Sequence, residues 1–88
     1  MKVVCDDLAA RRRRLLWRAT HRGIKEMDLL LGCFAAARVE AMNEQALREL
    51  EAIVLLADQD LLGWIMRESP VPPELRSATL DALIAYRP

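Results

Sequence analysis

The stretch "RATHRGIKEMDLLLGCF", residues 18–34, decides the fold of this chain. It begins as a basic helix, passes through Arg22 and Gly23, and continues into a long apolar run. Glycine commonly ends a helix, yet beyond Gly23 the apolar residues recur at three- and four-residue intervals, which is typical of an amphipathic helix. The stretch therefore predicts two helices that meet at a turn centred on Gly23.

Outside this stretch the chain is also helical in character. It has 88 residues, enough for one domain, and it is rich in Leu, Ala, Arg and Glu, residues that favour helices. The first helix is predicted to begin near Asp6 or Asp7 and to run to about His21, and the second to run from about Ile24 to Val39 or Glu40. The fold class predicted is all-α, a compact bundle of five helices.

Three further helices follow from capping residues. Asn43 and Asp58 are predicted to cap the third and fourth helices, and Pro73, after the proline-rich break at 69–73, is predicted to lie in the first turn of the fifth. Gly32, inside the second helix, predicts a close helix–helix approach. Trp64, between leucines and an isoleucine, is predicted to lie in the core.

The net charge of zero conceals an asymmetry. Residues 1–25 carry eight basic and two acidic residues, whereas residues 26–88 carry five basic and eleven acidic ones. The run "RRRR" at 11–14 leaves nucleic-acid binding open as an alternative function. However, four successive residues point all around a helix rather than to one side, and the acidic remainder would repel a phosphate backbone. A helical subunit that dimerises through the first helix is a third interpretation.

The residues needed for enzymatic chemistry are scarce. His21 is the only histidine, the serines are Ser69 and Ser77, and the cysteines are Cys5 and Cys33. This set does not supply a Ser-His-Asp arrangement or a tetrahedral metal site, and Cys33 is predicted to be buried on the second helix. The three glycines are isolated, so no phosphate-binding loop is present. The sequence predicts a protein that is not an enzyme and holds neither a metal nor a cofactor tightly.

Membrane insertion is not expected. The longest apolar run, residues 29–37, is nine residues long, about half of what a membrane-spanning helix needs. The first residues lack the apolar segment of a signal peptide. These features predict a cytoplasmic protein.

The residues at the predicted joint allow two interpretations. In the first interpretation, Arg22 and Glu26 are ordinary surface charges beside a glycine whose backbone can adopt the turn. In the other, Gly23 allows the backbone of another protein to approach because it has no Cβ, and Arg22 offers a fork of hydrogen-bond donors to that protein. Glu26, four residues after Arg22, would then hold the arginine in place.

Two stretches resemble a known family. "RGIKE" (22–26), followed by Asp28, resembles the Arg-Gly-x-x-Glu signature of the small flavinylation factors of succinate dehydrogenase. "DQDLLGWIM" (58–66) resembles the second recurring stretch of that family, an acidic pair with leucines and a tryptophan. The spacing of the stretches and the length of the chain also fit, and the resemblance covers about residues 11–86.

The resemblance implies a function and a site. Members of this family bind the flavoprotein subunit of succinate dehydrogenase, and in bacteria that of fumarate reductase, and promote covalent attachment of FAD to a histidine of that subunit. The chemistry resides in the flavoprotein and its FAD, so the resemblance implies an assembly chaperone without a cofactor of its own, and a monomer suits this transient role. The partner-binding residues it implies are Arg22, Gly23, Ile24 and Glu26, with Asp28 in support and Arg18 on the basic helix.

Overall fold

The structure is a computed structural model that describes residues 8–87. These residues form five α-helices: α1 (Leu8–Thr20), α2 (Lys25–Arg38), α3 (Glu44–Ile53), α4 (Asp58–Ile65) and α5 (Ala78–Ala85). Two 3-10 turns, Val39–Ala41 and Pro73–Leu75, lie between them, and no strand occurs in the part of the chain described. The predicted all-α, five-helix fold is confirmed.

Helices α1 and α2 form a hairpin whose close approach depends on Gly32. A Cβ atom at Gly32 would lie 3.0 Å from Cγ2 of Thr20 and 3.5 Å from the carbonyl oxygen of Ala19. The predicted close approach at Gly32 is therefore confirmed. Because the two backbones lie so near, Leu15 of α1 and Leu31 of α2 are both almost fully buried.

The remaining helices cover the hairpin and complete one hydrophobic core. Helix α3 packs against α1 and α5, and α4 packs against α5. Trp64 is 7% exposed, which confirms its predicted place in the core. The largest fully buried side chains are Phe34, Leu15, Met27, Leu31, Leu47, Leu50, Leu61, Leu80 and Leu83.

The first arginine of the run at 11–14 ties α1 to α3. Arg11 donates from Nε and Nη2 to the two carboxylate oxygens of Glu51, at 3.0 and 2.8 Å, and from Nη1 to Glu44 at 2.7 Å. The bidentate geometry is the strong form of an arginine–carboxylate contact. Arg11 is thus part of the fold.

The second arginine of the run closes the end of α2. Arg12 donates to the carbonyl oxygens of Val39 and Met42, at 3.0 and 2.9 Å. The Val39 carbonyl also accepts from the N–H of Met42 at 3.2 Å, so Arg12 is a second donor to the end of this turn. Arg13 and Arg14 are exposed, so only half of the run is free to face a partner.

The helix starts agree with the sequence in part. Asn43 caps α3 as predicted, and its side chain accepts a hydrogen bond from the backbone N–H of Ala46. The prediction for Asp58 is wrong: Ala57 is the N-cap of α4, and the Asp58 carboxylate binds an arginine side chain instead. The predicted start of α1 at Asp6 or Asp7 lies outside the described residues. The end of α2 at Arg38 is one or two residues before the predicted end at Val39 or Glu40.

The start of α5 differs from the prediction. Pro73 lies in a separate 3-10 turn, and α5 begins only at Ala78, capped by the Ser77 hydroxyl, which accepts from the N–H of Leu80. A Ser cap supplies an acceptor that a proline side chain does not have. The sequence signal for proline at a helix start was correct for the 3-10 turn and wrong for α5.

Glu49 of α3 holds the beginning of α5. One carboxylate oxygen accepts from the N–H and the hydroxyl of Thr79, at 3.1 and 2.8 Å, and the other accepts from Gln45 at 2.9 Å. The hydrogen bond from Gln45, followed by those from Thr79, lowers the pKa of Glu49 below its usual range. The ionised carboxylate therefore stabilises the fold.

Acidification is expected to weaken the bundle through this contact. A carboxylate whose pKa is lowered on folding contributes stability above the unfolded-state pKa of about 4.3, and this stability is lost as the pH falls through the folded-state pKa. Urea unfolding should therefore show a falling free energy of unfolding below about pH 4.5. A Glu49→Gln variant should show a smaller fall than the parent chain. Glu68→Gln, at an exposed position, is the control, and equal slopes for Glu49→Gln and the parent would contradict the assignment.

Candidate partner-binding site

The turn between α1 and α2 presents Gly23 to solvent. Gly23 has a φ of +96°, a backbone conformation that side chains other than glycine rarely adopt. A Cβ atom built on Gly23 meets no atom within 4 Å. The residue is therefore required by the shape of the turn, and the space in front of it is open to another molecule.

Arg22 points inward, toward the segment that joins α3 to α4. Its Nε donates to the Asp58 carboxylate at 2.7 Å, and its two Nη groups donate to the carbonyl oxygens of Val54 and Leu56. The side chains of Arg22 and Asp58 are only 9% and 14% exposed. The guanidinium group predicted to reach a partner is thus engaged within the chain, and it holds the turn against α4.

Asp28 secures the same turn from the other side. Its carboxylate accepts a hydrogen bond from the backbone N–H of Arg22. Arg22 is consequently held through both its backbone and its side chain. The conformation at Gly23 is therefore set by contacts on two sides.

Glu26 does not hold Arg22, which corrects the prediction from their four-residue spacing. Helix α2 begins only at Lys25, so Arg22 precedes the helix and the spacing does not bring the two side chains together. Glu26 is exposed, and its side chain forms no hydrogen bond or ion pair with any described residue. Its carboxylate is free to bind a partner beside Gly23.

The other two predicted residues differ in their surroundings. Ile24 is half-buried and packs against the core, so only part of it is open to contact. Arg18 is exposed on α1, and its guanidinium forms no hydrogen bond or ion pair within residues 8–87. The predicted residues thus divide into a presented set (Arg18, Gly23 and Glu26) and a supporting set (Arg22, Ile24 and Asp28).

An exposed aromatic pair lies next to the turn, and the sequence left open whether its two residues contact a partner. The rings of Trp17 and His21 are stacked, with centroids 4.1 Å apart and an angle of 10° between the planes. Together with Arg18, Arg22, Val54 and Leu55 they line a shallow depression of about 270 Å³. The signals in the sequence were the thin apolar stripe of the first helix, which includes Trp17, and the position of both residues just before the Arg-Gly pair.

Among residues 8–87 no group of three His, Cys, Asp or Glu side chains is arranged to hold a metal ion. Cys33 is half-buried rather than fully buried as predicted, and Cys5 lies outside the described residues. Within the same range, none of the helices combines the length and the apolarity needed to cross a membrane.

Comparison with known proteins identifies the family. Residues 13–87 match the family model described as flavinator of succinate dehydrogenase (Sdh5). The chain is similar to the FAD assembly factor SdhE of Acetobacter pasteurianus, with 39% identity over 93% of the chain and 75% of that protein.

Mitochondrial proteins are also similar. The chain is 35% identical to succinate dehydrogenase assembly factor 2 of Dictyostelium discoideum, over 85% of the chain and 53% of that protein. It is also 35% identical to the protein of that name from Saccharomyces cerevisiae (strain ATCC 204508 / S288c), over 91% of the chain and 51% of that protein. It spans about half the length of these relatives. The family match begins within α1 and includes the turn at Gly23 and helices α2 to α5, so the chain belongs to the Sdh5 family, the flavinators of succinate dehydrogenase.

Proposed function

We propose that this chain is an assembly factor that binds the flavoprotein subunit of succinate dehydrogenase and promotes the covalent attachment of FAD to it. The observation that carries the proposal is the turn at 22–24. Its glycine is exposed and open in front, and Asp28 and Asp58 hold Arg22, the residue before it, in place. A rigid surface of this kind binds a partner with little loss of conformational entropy.

The proposed mechanism is positioning rather than catalysis by this chain. A factor that holds a mobile part of the flavoprotein over its FAD brings the reacting groups into a productive geometry, and such ordering lowers a barrier by several kcal/mol. The bond between FAD and the protein forms within the flavoprotein. We therefore propose that the chain is not an enzyme, acts as a monomer and holds no FAD tightly, in line with its three isolated glycines.

The proposed partners include the flavoprotein subunit of fumarate reductase, which the family resemblance implies for bacteria. The proposed place of action is the cytoplasm, the compartment predicted from the sequence, although the similar eukaryotic proteins are named mitochondrial. Nucleic-acid binding is not favoured, because Arg11 and Arg12 are engaged within the fold.

Covalent flavin fluorescence in a denaturing gel tests the proposal. Cells of the source organism with and without this chain would be compared for fluorescence of the two flavoprotein subunits. Loss of fluorescence from either subunit, restored by the intact chain, would support the role and identify the target. Undiminished fluorescence of both subunits without the chain would overturn the proposal.

Glu26→Ala is expected to reduce flavinylation more than stability. The side chain is exposed and lies in the first turn of α2, so its loss should cost less than about 1 kcal/mol of favourable interaction with the helix dipole. If it contacts the flavoprotein as a central interface residue, the rate of flavin attachment should fall about fivefold or more. Glu40→Ala removes another exposed carboxylate near the opposite end of α2 and should leave the rate unchanged. A large drop in Tm with a normal rate would contradict this role.

A further inference from the structure

The outward side of α1 carries a patch that the turn at Gly23 does not account for. We define the α1 outer face as Arg13, Arg14, Trp17, Arg18 and His21. Positions 13, 17 and 21 are spaced four residues apart, as are 14 and 18, so the side chains follow one side of the helix and of its continuation. All five residues are exposed. The face combines three positive charges with an aromatic pair.

The indole of Trp17 is exposed but ordered. It is 62% exposed, whereas Trp64, the other tryptophan of the chain, is 7% exposed. His21 stacks on the Trp17 ring, and its Nδ1 lies 2.7 Å from the Trp17 carbonyl oxygen. The local contacts therefore orient the ring without burying it, which lowers the entropic cost of binding through it.

Leu55 extends the apolar surface beside Trp17. It is 76% exposed and lines the same depression of about 270 Å³, whose floor includes Arg22 and Val54. Exposed tryptophan and leucine side by side form an apolar surface that a partner's apolar side chain would cover. Arg22 lines the depression and directly precedes Gly23, so the depression adjoins the turn.

The arginines of the α1 outer face form no direct ion pair in the described part of the chain. Arg13, Arg14 and Arg18 form no ion pair there, in contrast to Arg11 and Arg22. Glu51 interacts electrostatically with Arg14 and Arg18, but both of its oxygens are held by Arg11. Arg18 lines the apolar depression, and Arg13 and Arg14 lie further along the same side of α1. Three guanidinium groups without an ion pair beside an apolar depression complement a segment with carboxylates near an apolar residue.

We propose that the α1 outer face is a second docking surface, continuous with the turn at Gly23, and that it receives an acidic segment of the flavoprotein subunit whose apolar side chain packs on Trp17 and Leu55. The inference rests on the proposed function. Tryptophan and arginine are the side chains that most often dominate the energy of an interface. The arginines would mainly speed association, and Trp17 would mainly slow dissociation.

The test measures binding of the purified chain to the purified flavoprotein subunit of succinate dehydrogenase by titration calorimetry and association kinetics. Trp17→Ala is expected to raise Kd by about tenfold or more, as for a central interface residue. Arg14→Glu/Arg18→Glu should lower the association rate by about tenfold and flatten its salt dependence. The neutral pair Arg14→Gln/Arg18→Gln should show a smaller effect of the same sign and avoids placing new acids near Glu51.

Matched controls use arginines elsewhere. Arg48→Glu/Arg76→Glu introduces the same charge change at two residues whose ion pairs are exposed and long, 3.7 and 3.5 Å, and should leave Kd within about twofold, as expected away from an interface. Tm measured for each variant separates binding from folding. Parent-like Kd and association rates in all the α1 variants would overturn the inference while the proposed function stands.

The remaining outcomes also decide the question. If the parent chain does not bind the flavoprotein subunit, both the proposed function and the inference fall. If the α1 variants lose binding to a 20-base-pair DNA duplex while flavoprotein binding is unchanged, the face serves nucleic acid and the inference is overturned. A dimer in sedimentation that Trp17→Ala dissociates, with flavoprotein binding unaffected, would assign the face to a second copy of the chain and likewise overturn it.

Discussion

An Arg22→Ala variant is expected to lose about 3 kcal/mol of unfolding free energy, because it removes one member of a nearly buried ion pair. Asp58, which is 14% exposed in the parent chain, would be left without its cation, and the carbonyl oxygens of Val54 and Leu56 would lose their donors. A chain of this size has a total stability of only about 4–13 kcal/mol. The variant should therefore be markedly less stable than the parent chain.

Urea unfolding followed by circular dichroism measures this effect, and Arg18→Ala is the matched control. Arg18 lies one helical turn earlier and is exposed, so its replacement should change the free energy by less than about 0.5 kcal/mol. A double-mutant cycle with Asp58→Ala should give a coupling of about 1–3 kcal/mol, because the two residues are in direct contact. Equal stabilities of the Arg22 and Arg18 variants would show that the contact with Asp58 contributes nothing.

Arg22→Lys separates charge from geometry within the same experiment. Lysine retains the positive charge but cannot reproduce the three directions in which the guanidinium donates. We expect it to recover less than half of the lost stability. Full recovery would mean that the charge alone matters.

Gly23→Arg is expected to abolish flavinylation while the bundle remains folded. The open space in front of Gly23 accommodates the new side chain, but the positive φ costs about 1–2 kcal/mol in an L-residue. This corresponds to a fall in Tm of roughly 5–15 °C. The bulky side chain would then stand where the flavoprotein backbone is proposed to approach.

The measurement combines covalent flavin fluorescence with Tm, and Gly23→Asn provides the control. Asparagine tolerates a positive φ better than other side chains and is much smaller than arginine. We expect it to retain part of the flavinylation activity. If Gly23→Arg is folded and supports normal flavinylation, the turn does not contact the flavoprotein. If both variants are inactive and folded, the glycine is required for its lack of any side chain.

Much of the candidate site could be located from local sequence signals. Gly23, between two segments with helical spacing, indicated the turn, and the short motif around it indicated the family. Asn43 was recognised as a cap because its partner lies only three residues away. Because these signals involve only residues close together in the chain, they can be recognised in one sequence without the structure.

The role of each motif residue could not be predicted in this way. Arg22 was expected to face a partner and to pair with Glu26, but its side chain binds Asp58, 36 residues further along the chain. Asp58 in turn was expected to cap α4. Both predictions assumed a partner close by in the sequence. In the structure each side chain binds the other, far away in the sequence and largely shielded from water.

The sequence by itself therefore determined the helical class, the turn at Gly23 and the family, because helix periodicity, glycine and a short motif act over a few residues. Only the tertiary structure decided which arginines are available to a partner. Arg11, Arg12 and Arg22 bind groups on other elements, while Arg13, Arg14 and Arg18 remain exposed. The physical reason is that a charged side chain near the core must be paired or hydrogen-bonded, and packing alone determines which carboxylates and carbonyls come within its reach.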